Sequence, residues 1–324
     1  MGKMKAAVYE GANEIVMRHV PIPQVKEGWS LLKVNYCGIC GTDMNIYAGS
    51  HPRAKNTLVI GHEFSGEVIE HPTLAAGTQV TALPLLSCGE CEPCRSGNSH
   101  VCESLGLLGI DEAGGMAEYV LVPADDVYPL SEGMSLKTGA LIEPFAVAVH
   151  AVRESDFNMG DSVTVFGAGP IGLCTAIVLK LSGTRDISVV EVNPFRKKLA
   201  EDLGFSVVES AVDIPSSDMV FDCAAHPAVA AQLVKATKIK GQIVLVGTYK
   251  YPAELDLQNL TFKELSIKGT RVYTKKDYQT AISLLADDFN FEKMITQEFP
   301  VDRVNEAFEM IAANGDCVKI LISF

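Results

Sequence analysis

The chain has 324 residues, 48% of them hydrophobic, and a formal net charge of -13. That length suits about two domains of ~150 residues, and the apolar share is ample for a core. So acidic a chain argues against a nucleic-acid partner, which a basic face would meet, and no apolar run approaches the ~20 residues that span a bilayer.

The opening stretch, MGKMKAAVYEGANE, lacks the apolar core of a secretory leader. The expected compartment is therefore the cytoplasm, where cysteines stay reduced. Residues 1–140 read as short strands punctuated by glycine and proline (KAAVYE, SLLKVNYCGI, FSGEVIE, TQVTALP, AEYVLVP). That is a many-stranded, barrel-like pattern.

Metal-type residues are scattered along this part: CGICGTD at 37–43, GHEFSG at 61–66 and EPFAVAVHA at 143–151. Cys40, His62, Glu63 and Glu143 are each ordinary alone. Together, a thiolate, an imidazole and a carboxylate with one position left for water are the make-up of a catalytic zinc site. The run HPRAK sets His51, Arg53 and Lys55 just before GHEF. A solvated loop is the plain reading of such charges; cations that hold a substrate carboxylate or phosphate are the functional one.

Four cysteines, Cys88, Cys91, Cys94 and Cys102, crowd into SCGECEPCRSGNSHVCES at 87–104. Four thiolates complete a tetrahedral zinc shell and leave no open position, so this knot is expected to be structural. A pair of disulfides is disfavoured in a reducing compartment. A nucleic-acid zinc ribbon is disfavoured too, with only Arg95 and His100 nearby.

Near Pro144 the grammar changes to strands alternating with helices, the mark of βαβ units and a parallel sheet. VTVFGAGPIGLCTA is a strand, a glycine turn and a helix, with Gly167, Gly169 and Gly172 as G-x-G-x-x-G and Pro170 and Ile171 inside the turn. The glycines permit the tight turn, the approach of a pyrophosphate and close helix packing, and the helix start offers free N–H groups to phosphate. Glu191, ending ISVVE, is the acidic residue expected about 20 positions on. A carboxylate there accepts a ribose diol and repels a 2′-phosphate, favouring NAD over NADP. Arg196, with Lys197 and Lys198 behind it, leaves some room for NADP. Val246 and Gly247, at the end of QIVLVGT, complete the cofactor-facing candidates. Between VVES and MVFDCA there is room for little of a helix. The tail reads as two helices, KDYQTAISLLADD and RVNEAFEMIAANG, and a last strand, CVKILISF.

In this order, and over essentially the whole chain, these motifs resemble the zinc-dependent medium-chain dehydrogenase/reductases of the sorbitol and threonine dehydrogenase type. IYAGSHPRAKNTLVIGHEF, FDCAAHPAV and KELSIKGTR are most similar to bacterial members acting on sugar acids and polyols, such as L-galactonate and L-gulonate 5-dehydrogenases. The resemblance implies an α/β plus β fold. Residues 1–144 and 289–324 would form a GroES-like β-barrel catalytic domain with both zinc sites. Residues 145–288 would form a Rossmann-type doubly wound nucleotide domain of six parallel strands, with the cofactor in the cleft between the domains.

The resemblance also implies Cys40, His62 and a glutamate, Glu63 or Glu143, as zinc ligands, with Cys37 a packing residue. Thr42 would be the first hydroxyl to take the released proton, and the chains would pair into a homodimer or homotetramer through the nucleotide domains. The chain departs from the threonine dehydrogenases at Asn45, where they carry His. Asn shuttles no proton at neutral pH, which leaves His51 as the candidate substitute.

The leading expectation is an enzyme with two zinc ions per chain and NAD, oxidising a secondary alcohol of a polyol or sugar acid. The cations of HPRAK favour the sugar acid; a neutral-polyol dehydrogenase of the sorbitol or butanediol type is the neighbouring alternative. A zinc-stabilised binding or regulatory protein would lack a catalytic ligand, and a metal-free reductase would lack both metal groups. This sequence lacks neither.

Overall fold

The computed structural model describes residues 2–209 and 214–324. Contacts divide the chain into two units, Met1–Glu143 with Thr274–Phe324, and Pro144–Tyr273.

In the first unit, alternating strands do the building. Strand Trp29–Gly38 buries Leu32, Val34 and Cys37 and is the hub of a mixed seven-stranded sheet. The order is Val127–Pro129, Gln79–Ala82, Glu63–Glu70, Trp29–Gly38, Lys319–Ser323, Ile295–Pro300, with Tyr119–Pro123 also paired to Trp29–Gly38. A second sheet holds Glu14–Pro21, Lys3–Gly11 and Leu58–Val59. Val34, Ile60, Phe64, Val80, Val120 and Ile320 close one apolar core, each such side chain stabilising by roughly 1.5–3 kcal/mol when fully buried.

This register positions the site. Gly38 pairs with Glu63 and also with Leu321 of the last strand. Three segments far apart in sequence thus meet at one end of the sheet. Gly38 is needed there, because a Cβ on it would stand 3.2 Å from Glu63 Cβ and 3.3 Å from its Cδ.

Among the described residues of the second unit all strand pairs are parallel. The six strands run Ser206–Val208, Ile187–Val190, Val163–Phe166, Ser217–Asp222, Thr237–Leu245, Ser266–Gly269. This is the doubly wound sheet expected. Val163–Phe166 is buried along its whole length, as a parallel strand covered on both faces must be. Helices Pro170–Leu181, Pro194–Asp202 and Pro227–Ala236 each begin with proline at the first position, where the missing N–H costs nothing and φ is already helical.

The return to the first unit comes at Thr274, earlier than the residue 289 that the resemblance implies. Helix Lys275–Leu284 accounts for the difference. Its Tyr278 is fully buried, with its hydroxyl 2.9 Å from the Ala82 carbonyl and 2.7 Å from Thr81 Oγ1, both on strand Gln79–Ala82. Helical periodicity reveals an apolar face but not the sheet that receives it. The short connection between VVES and MVFDCA falls partly on residues 210–213, outside the described residues.

Candidate metal and dinucleotide sites

Cys40 precedes helix Gly41–Tyr47, with an extended backbone at φ -98° and ψ 158°. Its N–H donates to Asp43 Oδ2 at 2.9 Å. His62 follows Gly61, whose φ of +92° is a conformation glycine tolerates readily. Glu63 then opens strand Glu63–Glu70. One donor atom from each of Cys40, His62 and Glu63 lies within 4.8 Å of the others, and His62 and Glu63 are buried. Glu143 falls outside that set. It is buried in the first turn of helix Ile142–Glu154, near enough for its charge to act on His62.

Burial disfavours a charged His62, but Asp43, Cys40 and Glu143 outweigh it and raise its pKa well above the usual imidazole range. So concentrated a negative potential around a buried ring suits a cation. A second sign is at the ring's other edge. His62 Nδ1 stands 3.8 Å from Asp43 Oδ1, and neither buried atom has a hydrogen-bond partner. A metal on the opposite nitrogen would fix the tautomer that donates from Nδ1 towards Asp43. The donor set, the potential and the orphaned pair all fit a zinc ion.

Glu63 is gripped from behind. Lys319, 1% exposed, donates from Nζ to Glu63 Oε1 at 2.8 Å, to Oε2 at 2.6 Å and to the Ile39 carbonyl at 3.1 Å. Sequence reasoning missed both Lys319 and the role of Asp43. A lysine inside the apolar strand CVKILISF was the available signal for the first, and the aspartate that closes CGICGTD was the signal for the second.

Thr42 is half-buried in the first turn after Cys40. The carbonyl of Asn45 accepts the N–H groups of Ser50 and His51 at 2.9 and 3.2 Å, folding the following loop back onto the helix. His51 Nδ1 accepts the Arg53 N–H at 3.4 Å. Partial burial, then the Arg53 cation, hold that imidazole below its usual range. The Arg53 guanidinium is already occupied: it donates to the Leu105 carbonyl at 2.8 Å and pairs with Asp111 at 3.0 Å. Its first duty is to tie the 50s loop to the 105–111 loop. Lys55 is exposed and, with Arg53, Thr57 and Asp111, lines a cavity of about 530 Å³.

The four sulfurs of Cys88, Cys91, Cys94 and Cys102 also lie within 4.8 Å of one another, and none is in a disulfide. Cys102 stands 3.5 Å from Cys88 and 3.8 Å from Cys91, and Cys88 stands 4.0 Å from Cys94. Sulfurs set tetrahedrally ~2.3 Å from zinc would be roughly 3.8 Å apart, so these spacings fit. The N–H groups of Glu90 and Cys91 point at Cys88 Sγ and pull its pKa down to about 6. Burial and the neighbouring cysteines push Cys94 up to about 12.

In the second unit, Gly167 takes φ +96° between strand Val163–Phe166 and helix Pro170–Leu181. Gly169 caps that helix, Pro170 and Ile171 open it, and a Cβ on Gly172 would run into the Gly167 carbonyl. Glu191 accepts the N–H of Ala168 at 2.8 Å on one oxygen, and those of Val192 and Asn193 at 2.7 and 2.9 Å on the other. It braces the glycine turn, a duty sequence reasoning did not foresee. Arg196 Nη1 lies 4.0 Å from the place of a Cβ on Gly169, and its buried Nε has no partner. Val246 and Gly247 both donate their N–H to the Asp222 carbonyl. The turn and the orphaned guanidinium nitrogen fit an anionic dinucleotide.

Comparison with known proteins agrees with this picture. The alcohol dehydrogenase GroES-like domain model matches residues 26–132 and the zinc-binding dehydrogenase model matches 170–287. The chain is 33% identical to an L-threonine 3-dehydrogenase of Bacillus subtilis, over 99% of each. It is 30% identical to an L-galactonate-5-dehydrogenase of Escherichia coli, over the full length of both. Among solved structures, a zinc-binding dehydrogenase from Sinorhizobium meliloti 1021 bound to NADP superposes with a TM-score of 0.94, at 29% identity and over all of both chains.

Proposed function

The chain belongs to the zinc-dependent medium-chain alcohol dehydrogenases, and from that premise we propose that it oxidises a secondary alcohol of a polyol or sugar acid, with two zinc ions per chain and NAD. The observation that carries this is the meeting of Cys40, His62 and Glu63 donor atoms within 4.8 Å, beside a second group that is all thiolate. Cys40, His62 and a glutamate hold the catalytic zinc, and Cys88, Cys91, Cys94 and Cys102 hold the structural one. When bound, the catalytic zinc supplies a Lewis acid towards the substrate hydroxyl and the nicotinamide supplies the hydride acceptor.

The chain's own residues supply the rest. Asp43 orients His62, and Lys319 fixes Glu63 while balancing its charge. Thr42 is the first hydroxyl on the proton's way out. Gly167, Gly169 and Gly172 admit the pyrophosphate, and Arg196 offers it a cation. Glu191, at the end of its strand, places a negative charge where a 2′-phosphate would go, which favours NAD. The NADP in the Sinorhizobium relative keeps NADP as a second reading.

Arg53 is held by Asp111 and Leu105, so Lys55 is the better candidate for a substrate carboxylate. With Asn45 a backbone anchor and not a proton carrier, threonine is a weak substrate for this chain, although a threonine dehydrogenase is among its relatives. Among the described residues no helix is long and apolar enough to cross a membrane; a cytoplasmic location is the reading in which the four thiols of the knot stay reduced for zinc. The outermost strand Ser266–Gly269, with exposed Tyr251, Leu257 and Phe262 in the same unit, supports a homodimer or homotetramer paired through the nucleotide units.

Polyols and aldonates offered with NAD and with NADP, read at the absorbance of the reduced cofactor, test the proposal. Turnover of at least one polyol or aldonate, faster with NAD, is expected; no turnover of any polyol or aldonate by zinc-replete protein contradicts it.

A further inference from the structure

Two residues of the second unit, Asp222 and Tyr249, are joined by a side-chain hydrogen bond. Asp222 ends strand Ser217–Asp222 and is fully buried. Its partner in the neighbouring strand is Phe166, immediately before the glycine turn. From Val163–Phe166 the strand order steps one way to Ile187–Val190 and the other way to Ser217–Asp222. Asp222 therefore sits at the point where the winding reverses, beside which open α/β sheets bind their ligands.

The carboxylate is the junction of two loops. Asp222 Oδ1 accepts the N–H of Ala224 and of Ala225, both at 3.0 Å. Its Oδ2 accepts the Tyr249 hydroxyl at 2.6 Å. Ala225 has φ +48°, a left-handed conformation that strains an alanine and persists only where its surroundings over-determine it. The bond to Asp222 is part of that determination. The loops are also in close approach: a Cβ on Gly247 would stand 2.8 Å from Ala225 Cβ, and one on Gly167 would stand 3.3 Å from Ala224 Cβ. A shift of residues 224–225 would therefore reach both the glycine turn and Gly247. Burial and the Asp222 carboxylate push the Tyr249 hydroxyl above its usual range, so it keeps its proton and remains a donor.

We propose that Tyr249 is a positioning residue that acts through Asp222, holding loops 223–225 and 246–249 in the arrangement that receives a dinucleotide, and so sets cofactor affinity. The proposal rests on the dehydrogenase reading of this unit. The effect is one of preorganisation: a loop already in its binding conformation loses less freedom when the ligand arrives.

The test is fluorescence titration of reduced NAD into zinc-replete wild type, Tyr249→Phe and, as a control, Tyr251→Phe, since Tyr251 is 79% exposed. Loss of one hydrogen bond to a buried carboxylate is expected to raise the Kd of Tyr249→Phe about five- to tenfold. Its KM for the alcohol at saturating cofactor should stay within about twofold of wild type, and Tyr251→Phe should match wild type throughout. A Tyr249→Phe Kd within about twofold of wild type, whatever its melting temperature, overturns the proposal, as does an alcohol KM that rises in step with Kd. Wild type that binds neither reduced NAD nor, in a parallel titration, reduced NADP overturns the dehydrogenase reading and this proposal with it.

Discussion

Replacing Lys319 by Met removes one charge while nearly keeping the volume of the side chain. In the native chain the ammonium and the Glu63 carboxylate are each about 1% exposed and joined at 2.6 and 2.8 Å. Removing one partner of so buried a pair leaves the other charge uncompensated, which costs about 3–5 kcal/mol. At ~2–4 °C per kcal/mol for units of this size, the melting temperature should fall by about 6–20 °C. The assay is chemical and thermal denaturation of wild type, Lys319→Met, Glu63→Gln and the double variant, all stripped of metal. The double variant should lose much less than the sum of the single losses, because it leaves no lone charge behind. A loss below about 1 kcal/mol in Lys319→Met, or additive losses in the double variant, would refute the claim that the last strand holds the site's carboxylate.

Other consequences follow from the same geometry. Asp43→Asn should weaken zinc binding at the Cys40 site by about 10–100-fold, measured by competition with a chromophoric chelator, while leaving the four-cysteine knot loaded. In metal-stripped protein Cys88, with a pKa of about 6, is largely thiolate at neutral pH, and Cys94, near 12, is not. Mass spectrometry of protein alkylated near pH 7 should therefore find Cys88 modified ahead of Cys94, with the Cys88 rate falling as pH drops below about 6. Equal labelling of the two would contradict the backbone N–H account of that difference.

What could be read from the sequence was whatever lies close together along it. The four-cysteine knot announces itself because its donors share one short stretch, and the glycine turn because strand, turn and helix are contiguous. The doubly wound sheet follows from the alternation of elements, and six parallel strands are present. What could not be read depends on packing between distant segments. Nothing local distinguishes Glu63 from Glu143 as a donor; the pairing of Gly38 with Glu63 brings one of them to Cys40. Arg53 looked available for a substrate until the 105–111 loop supplied Asp111 and the Leu105 carbonyl. Helix Lys275–Leu284 was expected inside the nucleotide domain of residues 145–288, and its Tyr278 instead packs on strand Gln79–Ala82 of the first unit. The partners of Lys319 and Tyr249 were hidden for the same reason, since each side chain meets a carboxylate distant in sequence.

The most direct test of the account is zinc per chain, by mass spectrometry of purified protein, in wild type and in Cys40→Ser. Two zinc ions in wild type and one in the variant, with alcohol oxidation lost alongside the missing ion, is the result predicted. A wild type that turns over fully with a single zinc, or a Cys40→Ser chain that keeps both, would contradict the claim that an open zinc site built on Cys40 does the chemistry.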